Sequence, residues 1–211
     1  MLIGCGEKPP ATDTAQTNTT DDLQQTQPAP VPAVPEVVVV DDPPLSLPQR
    51  VAFMAGHVEA GLALYRAGEI EMAAKHFLHP VSETHASERE GLDAIGFDAD
   101  LFAAIADALA DGVPAEQMTS QLQAAQKNLS DMATRAGGND MAIIDFLMAK
   151  VAEEYAAGVS NGVVVEAGEY QDAFGFATVA AQRVAGLDSQ VQSIATVRLE
   201  ALLLSWPSAP V

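Results

Sequence analysis

The spacing of apolar residues constrains this chain most, because from residue 48 onward they recur every three or four positions. The clearest run is Met118, Leu122, Ala125, Leu129 and Met132. This repeat matches the 3.6-residue turn of an α-helix, so the apolar side chains share one face. The β-prone run at residues 163–165 is too short to build a sheet. The sequence therefore predicts an all-α fold.

Glycine and proline divide this region into about seven to eight predicted helices. Gly68 ends the first helix, and Pro80 ends the second because the residue before a proline is pushed out of helical geometry. Pro80 can also occupy the first turn of a third helix, which we expect to run to about residue 95. We predict a helical bundle domain over residues 48–206, followed by a C-terminal tail over residues 207–211.

Residues 6–47 have a different composition. They contain eight of the 13 prolines, six threonines and no aromatic residue, and their acids outnumber a single lysine. Such a stretch cannot bury enough apolar surface to offset the entropy lost on ordering. We therefore expect this segment to be a disordered acidic Pro/Thr-rich tether ahead of the helical bundle.

The first residues read Leu2, Ile3, Gly4 and Cys5. This order resembles the lipobox of bacterial lipoproteins, and the resemblance implies that Cys5 is lipidated and that residues 1–5 are a lipobox remnant. Only four residues precede Cys5, whereas an export signal needs a basic start and an apolar stretch, so we expect a leader upstream. Glycine in place of aspartate after the cysteine implies the periplasmic side of the outer membrane. A chance match is the alternative.

Charge and motifs exclude several classes of protein. Asp and Glu outnumber Lys and Arg 29 to 10, for a net charge of −19. This excess excludes a nucleic-acid partner bound through phosphate neutralisation. It also excludes binding to anionic lipid through a cluster of basic residues. No apolar run reaches the length of about 20 residues that a spanning helix needs. Because no nucleophile elbow or phosphate-binding loop is present either, we expect that the protein is not an enzyme.

All four histidines lie within 29 residues, with His76 and His79 one helical turn apart. Two imidazoles spaced in this way define one edge of a metal site, and a neighbouring helix can supply further ligands. The sequence predicts a Zn, Cu or Fe site made by His57, His76, His79 and Glu83. The alternative is that His76 packs in the core and that His79 interacts with a helix C-terminus, where a cation is favoured.

A second region, residues 153–172, concentrates acids and tyrosines. It resembles an extracytoplasmic helical region of bacterial high-affinity iron permeases, although Gly158 stands where that family has alanine. The membrane-spanning helices and intramembrane carboxylates of the permeases are lacking, so the resemblance implies an accessory metal-handling domain. Buried tyrosines bonded to acids at two helix ends are the alternative. The resemblance rests on Glu154, Tyr155, Val159, Gly162, Val164, Glu169 and Tyr170, and the additional site that we consider comprises Glu154, Tyr155, Glu169, Tyr170 and Asp172.

The sequence is compatible with two functions of different classes. The first is a lipid-anchored extracytoplasmic protein that binds a divalent metal in a helical bundle. The second is a structural or adaptor lipoprotein of the envelope that binds a protein partner without metal. Both have the membrane as a partner through the lipid anchor.

Overall fold

A computed structural model describes residues 45–82, 89 and 91–206. These residues form seven α-helices, and a two-residue antiparallel pair, β1 (Val159–Ser160) and β2 (Val163–Val164), connects the fifth helix to the sixth. The predicted all-α bundle is therefore confirmed. The helices are α1 (Leu47–Ala67), α2 (Ile70–Leu78), α3 (Ala99–Ala110), α4 (Ala115–Ala136), α5 (Asp140–Gly158), α6 (Ala167–Arg183) and α7 (Ser189–Leu203).

The described part of the chain begins just before α1. The backbone N–H and hydroxyl of Ser46 both lie within hydrogen-bond distance of Gln49 Oε1, which fixes the first turn of the helix. Cys5, almost all of the predicted tether and the tail over residues 207–211 lie outside the described residues. Among the described helices, none has the length and the apolar character to cross a membrane.

Helix α1 lies between two hydrophobic clusters. Its Val51, Met54 and Val58 pack into a cluster shared with α2, α3 and α4. Its Ala52 and Phe53 pack into a second cluster shared with α5, α6 and α7. A helix that is apolar around most of its circumference is normally buried, and α1 is buried on both sides. His57 of α1, which is 4% exposed, is therefore held inside the protein.

The third predicted helix, from Pro80 to about residue 95, is wrong in its described part. The structure has a 3-10 turn at His79–Val81 and another at Asp93–Ile95. Between them Gly91 adopts a φ of +82°, in the left-handed region that a right-handed helix cannot contain. Gly91 therefore interrupts the helix that the sequence predicts here.

The connection between α5 and α6 is a short hairpin. Val159 pairs with Val164 and Ser160 with Val163. Asn161 (φ 52°) and Gly162 (φ 77°) both have positive φ at the turn, which is the arrangement of tight two-residue hairpins. Val163 and Val164 do pair, but with two residues per strand they build no sheet beyond this hairpin. Its effect is to place α5 and α6 side by side.

Candidate metal centre

The first ligand candidate, His57, is brought to α6 by a close contact between helices. Gly175 of α6 lies against the backbone carbonyl of Gly56, and a Cβ at position 175 would clash with that oxygen. Only glycine permits α1 and α6 to approach so closely. The consequence is a contact across 115 positions of sequence: His57 Nδ1 lies 2.7 Å from Asp172 Oδ1.

The end of α2 supplies two more imidazoles. His76 lies in the last turn of α2, on the side that is buried, and His79 begins the 3-10 turn that follows. Gly61 of α1 allows this approach, because a Cβ there would lie only 3.2 Å from Cβ of His76. His79 Nδ1 is 2.9 Å from His57 Nδ1, and their ring centroids are 4.5 Å apart.

Four potential ligand atoms converge at this point. His57, His76, His79 and Asp172 each offer one, and all four atoms lie within 4.8 Å of one another. The cluster is buried: His57, His76 and Asp172 are 4%, 1% and 5% exposed, and His79 is half-buried. Such a set of nitrogen and carboxylate donors can coordinate a transition-metal cation.

The electrostatics of the cluster centre on Asp172. Burial alone would raise the pKa of this carboxyl, but hydrogen bonds and charge from His57 and His76 outweigh burial and hold the pKa well below its ordinary value. His76 Nδ1 lies 3.0 Å from the same Oδ1 that contacts His57. Asp172 therefore remains a carboxylate, the form that binds a cation.

Two phenylalanine rings and one amide lie against the cluster. The ring of Phe53 meets His57 edge-on at 4.7 Å, and Phe176 lies 5.4 Å from the same imidazole. Gln171, which is 1% exposed, places its Oε1 2.9 Å from His76 Nε2. Histidine ligands in metal proteins commonly have such an acceptor on the second ring nitrogen.

The structure brings together three of the four predicted metal ligands. The structure brings His57, His76 and His79 together, whereas Glu83 lies outside the described residues. Asp172, which we had grouped with the acidic and tyrosine residues, lies instead with the histidines. One signal could have shown this: Gln171 and Asp172 are consecutive polar residues at the start of an otherwise apolar stretch of α6, and both are buried.

The other acidic and tyrosine residues lie close to the cluster but form a separate group. Glu154 of α5 bonds to Glu169 of α6, and burial followed by this neighbouring carboxyl raises the pKa of Glu154 to about 8. Tyr155 and Tyr170 pack with Trp206, at ring separations of 6.1 to 6.2 Å. Burial, followed by the charge of Tyr155, raises the pKa of Tyr170.

The C-terminal part of the helical domain is similar to a known family. Residues 134–205 match the family described as the iron permease-associated 4-helix bundle domain. This segment, about a third of the chain, contains Asp172, Gln171 and the Glu154–Glu169 pair, and it includes every residue on which the permease resemblance rests. The three clustered histidines precede it. No curated protein and no solved structure matches the chain.

Proposed function

We propose that this protein binds one transition-metal cation through His57, His76, His79 and Asp172. The observation that carries the proposal is the convergence of four donor atoms, three from imidazoles and one from a carboxylate, inside the bundle. A carboxylate buried in this way is costly unless a positive charge compensates it. A divalent cation would supply that charge and would satisfy all four donors at once.

The donor set limits which metals fit. Imidazole nitrogens suit Fe, Cu and Zn, whereas Mg and Ca prefer sites made entirely of oxygen. The likeness of residues 134–205 to an iron permease-associated domain favours iron among the three. We propose that the metal is cargo, held and passed on, and that the protein is not an enzyme.

We further propose a location in the bacterial envelope. Lipidation at Cys5 would anchor the protein on the periplasmic side of the outer membrane, and residues 6–47 would tether the helical domain to that anchor. The support is the lipobox-like order from Leu2 to Cys5, and the likeness to a domain that accompanies iron permeases. Acyl chains contribute about 0.8 kcal/mol per CH₂ buried in lipid, which suffices to hold a domain without a spanning helix.

Thermal unfolding with and without metal tests this proposal. A ligand that binds only the folded state, at a free concentration one hundred times its Kd, stabilises that state by about 2.7 kcal/mol. At pH 7.5 we expect Zn, Cu or Fe(II) to raise the Tm, and Mg or Ca to have little effect. Because imidazoles must be unprotonated to bind metal, the shift should be largely lost at pH 5.

The matched control is the double variant His76→Ala/His79→Ala, in which two of the four donors are missing. It should lose the metal-dependent rise in Tm. An equal rise with Mg or Ca, or a rise that persists in this variant, would assign the effect to the acidic surface and contradict the proposed site.

One observation favours a second candidate function, that of an adaptor for a protein partner. Helix α7 buries Leu199, but its outward side exposes an apolar stripe. Exposed apolar residues at helical spacing are typical of surfaces that contact another protein. Pull-down of an envelope protein by wild type but not by Ile194→Asp/Val197→Asp would support this candidate; equal capture would contradict it. The stripe consists of Val191, Ile194 and Val197 of α7 and of Leu204, directly after the helix, which are 39%, 55%, 66% and 84% exposed.

A further inference from the structure

The amide of Gln171 lies beside the four ligand candidates and has no part in the proposed ligation. It lies on α6 next to Asp172 and is 1% exposed. Its Oε1 is 2.9 Å from His76 Nε2. An amide oxygen can only accept a hydrogen bond, so His76 Nε2–H must be the donor.

This proton position decides which nitrogen of His76 is available to a metal. In a neutral imidazole with its proton on Nε2, the lone pair is on Nδ1. His76 Nδ1 lies 3.0 Å from Asp172 Oδ1, on the same side as the other donors. Without a metal, a proton on His76 Nδ1 can form the hydrogen bond to Asp172, and a metal cation would displace that proton and take the lone pair. The ring is therefore held with Nδ1 facing the place for a cation.

The other two imidazoles face this place with the same nitrogen. His57 Nδ1 contacts Asp172 Oδ1 at 2.7 Å, and His79 Nδ1 lies 2.9 Å from His57 Nδ1. We propose that all three histidines bind the metal through Nδ1, and that Gln171 is the positioning residue that selects this nitrogen in His76. The inference rests on the proposed function, and it adds the coordination mode and a residue that enforces it.

The role of Gln171 has a measurable consequence for affinity. A ligand whose second nitrogen is hydrogen-bonded is fixed in tautomer and ring orientation, and losing such a partner typically weakens metal binding about tenfold to a hundredfold. Gln171→Met keeps an unbranched side chain of similar size but removes the acceptor. Gln171→Glu keeps an acceptor oxygen at the end of a side chain of the same length.

The first test needs no variant. In the wild-type protein loaded with one equivalent of Zn, a long-range ¹H–¹⁵N spectrum shows which nitrogen of each ligand histidine keeps its proton. Protonated Nε2 couples to both carbon-bound ring protons, whereas protonated Nδ1 couples strongly to Hε1 alone. We expect protonated Nε2 in His57, His76 and His79. A protonated Nδ1 in His76 would overturn the inference.

The second test compares Zn affinity by calorimetry. We expect Gln171→Met to bind Zn about tenfold to a hundredfold more weakly, and Gln171→Glu to stay within about threefold of wild type. The matched control is Gln182→Met, because the amide of Gln182 is on the same helix but exposed and bonds to Glu59. Unchanged affinity in Gln171→Met would overturn the positioning role while leaving the metal site in place. A wild-type protein that binds none of Zn, Cu and Fe(II) would instead contradict the proposed function itself.

Discussion

Asp172 is the single residue that links both buried histidines, because one of its carboxylate oxygens lies within 3.0 Å of a nitrogen of each. These contacts tie α6 to both α1 and α2. They also keep a negative charge inside the protein, at a cost that only neighbouring positive charge can offset. Asp172 thus serves the fold and the candidate site together.

Replacing Asp172 tests this double role. Asp172→Asn leaves the histidines without their anion, and removing one partner of a buried charged network costs about 3 kcal/mol or more. We expect a lower free energy of unfolding in urea, and metal binding weakened beyond detection by calorimetry. Asp145→Asn, an exposed change on α5, is the control and should alter neither quantity. Metal binding of wild-type strength in Asp172→Asn would exclude this carboxylate as a ligand.

The contribution of Glu154 to stability depends on pH. Its pKa rises from 4.5 to about 8 on folding, so between these values the folded state binds more protons than the unfolded state. Stability from this group must then fall as the pH rises from about 4.5 to 8. Glu154→Gln keeps a donor for Glu169 but does not titrate. We expect its Tm to exceed that of wild type at pH 8, with the difference shrinking towards pH 5.

The exposed Glu200 on α7 provides the control for this measurement. Glu200→Gln should shift the Tm equally at both pH values. If Glu154→Gln and Glu200→Gln gave parallel curves, the shared proton between Glu154 and Glu169 would be ruled out as the cause.

At the scale of secondary-structure elements, the α1–α6 crossing determines whether the site forms. Gly56 and Gly175 face each other there, His57 follows Gly56 directly, and Asp172 lies about one turn before Gly175. The backbone at this crossing leaves no room for a side chain. A change at the crossing therefore acts on the ligands without touching any of them.

The variant Gly175→Ala tests the crossing. Its Cβ would clash with the carbonyl of Gly56, and because backbone cannot move as a side chain can, the helices must separate. Overpacking of this kind costs about 1–3 kcal/mol. We expect lower stability together with weaker metal binding. Gly168→Ala on the same helix has no heavy atom within 4 Å and should be neutral or stabilising. Equal metal affinity in both variants would contradict the account of the crossing.

Some elements of this fold can be predicted from the sequence, and others cannot. The periodicity in α4 and the glycine and proline stops predict helices, because local geometry alone decides these features. The spacing of His76 and His79 predicts a pair of donors for the same reason. The pairing of His57 with Asp172 spans 115 positions and depends on how α1 crosses α6, which no local pattern encodes. The break at Gly91 was missed because a glycine permits positive φ without requiring it.

At the scale of the whole molecule, the net charge of −19 means that cations are attracted to the surface as well as to the buried site. Metal binding at the buried site must therefore be separated from this general attraction. An acidic surface attracts any cation, and added salt screens this attraction over a Debye length of about 8 Å at physiological ionic strength. The buried site is screened much less. Specific binding should therefore persist at high salt, whereas surface binding should not.

The proposed lipid anchor at Cys5 predicts where the protein is found after cell fractionation. When the gene is expressed with its full upstream leader, we expect wild type in the membrane fraction of the bacterial envelope. Cys5→Ser, which cannot be lipidated, should appear in the soluble fraction. Identical fractionation of the two proteins would show that Cys5 is not a lipidation site, and would leave the metal site unaffected.

The central claim is that three imidazoles and one carboxylate bind a single metal, and X-ray absorption at the metal edge tests it most directly. The sample is the whole protein loaded with one equivalent of Zn in high salt. The account predicts four nitrogen or oxygen ligands at about 2.0–2.1 Å, with outer-shell scattering from three imidazole rings. The His76→Ala/His79→Ala variant should show at most one ring. A wild-type spectrum with an all-oxygen shell, or without imidazole scattering, would contradict the account.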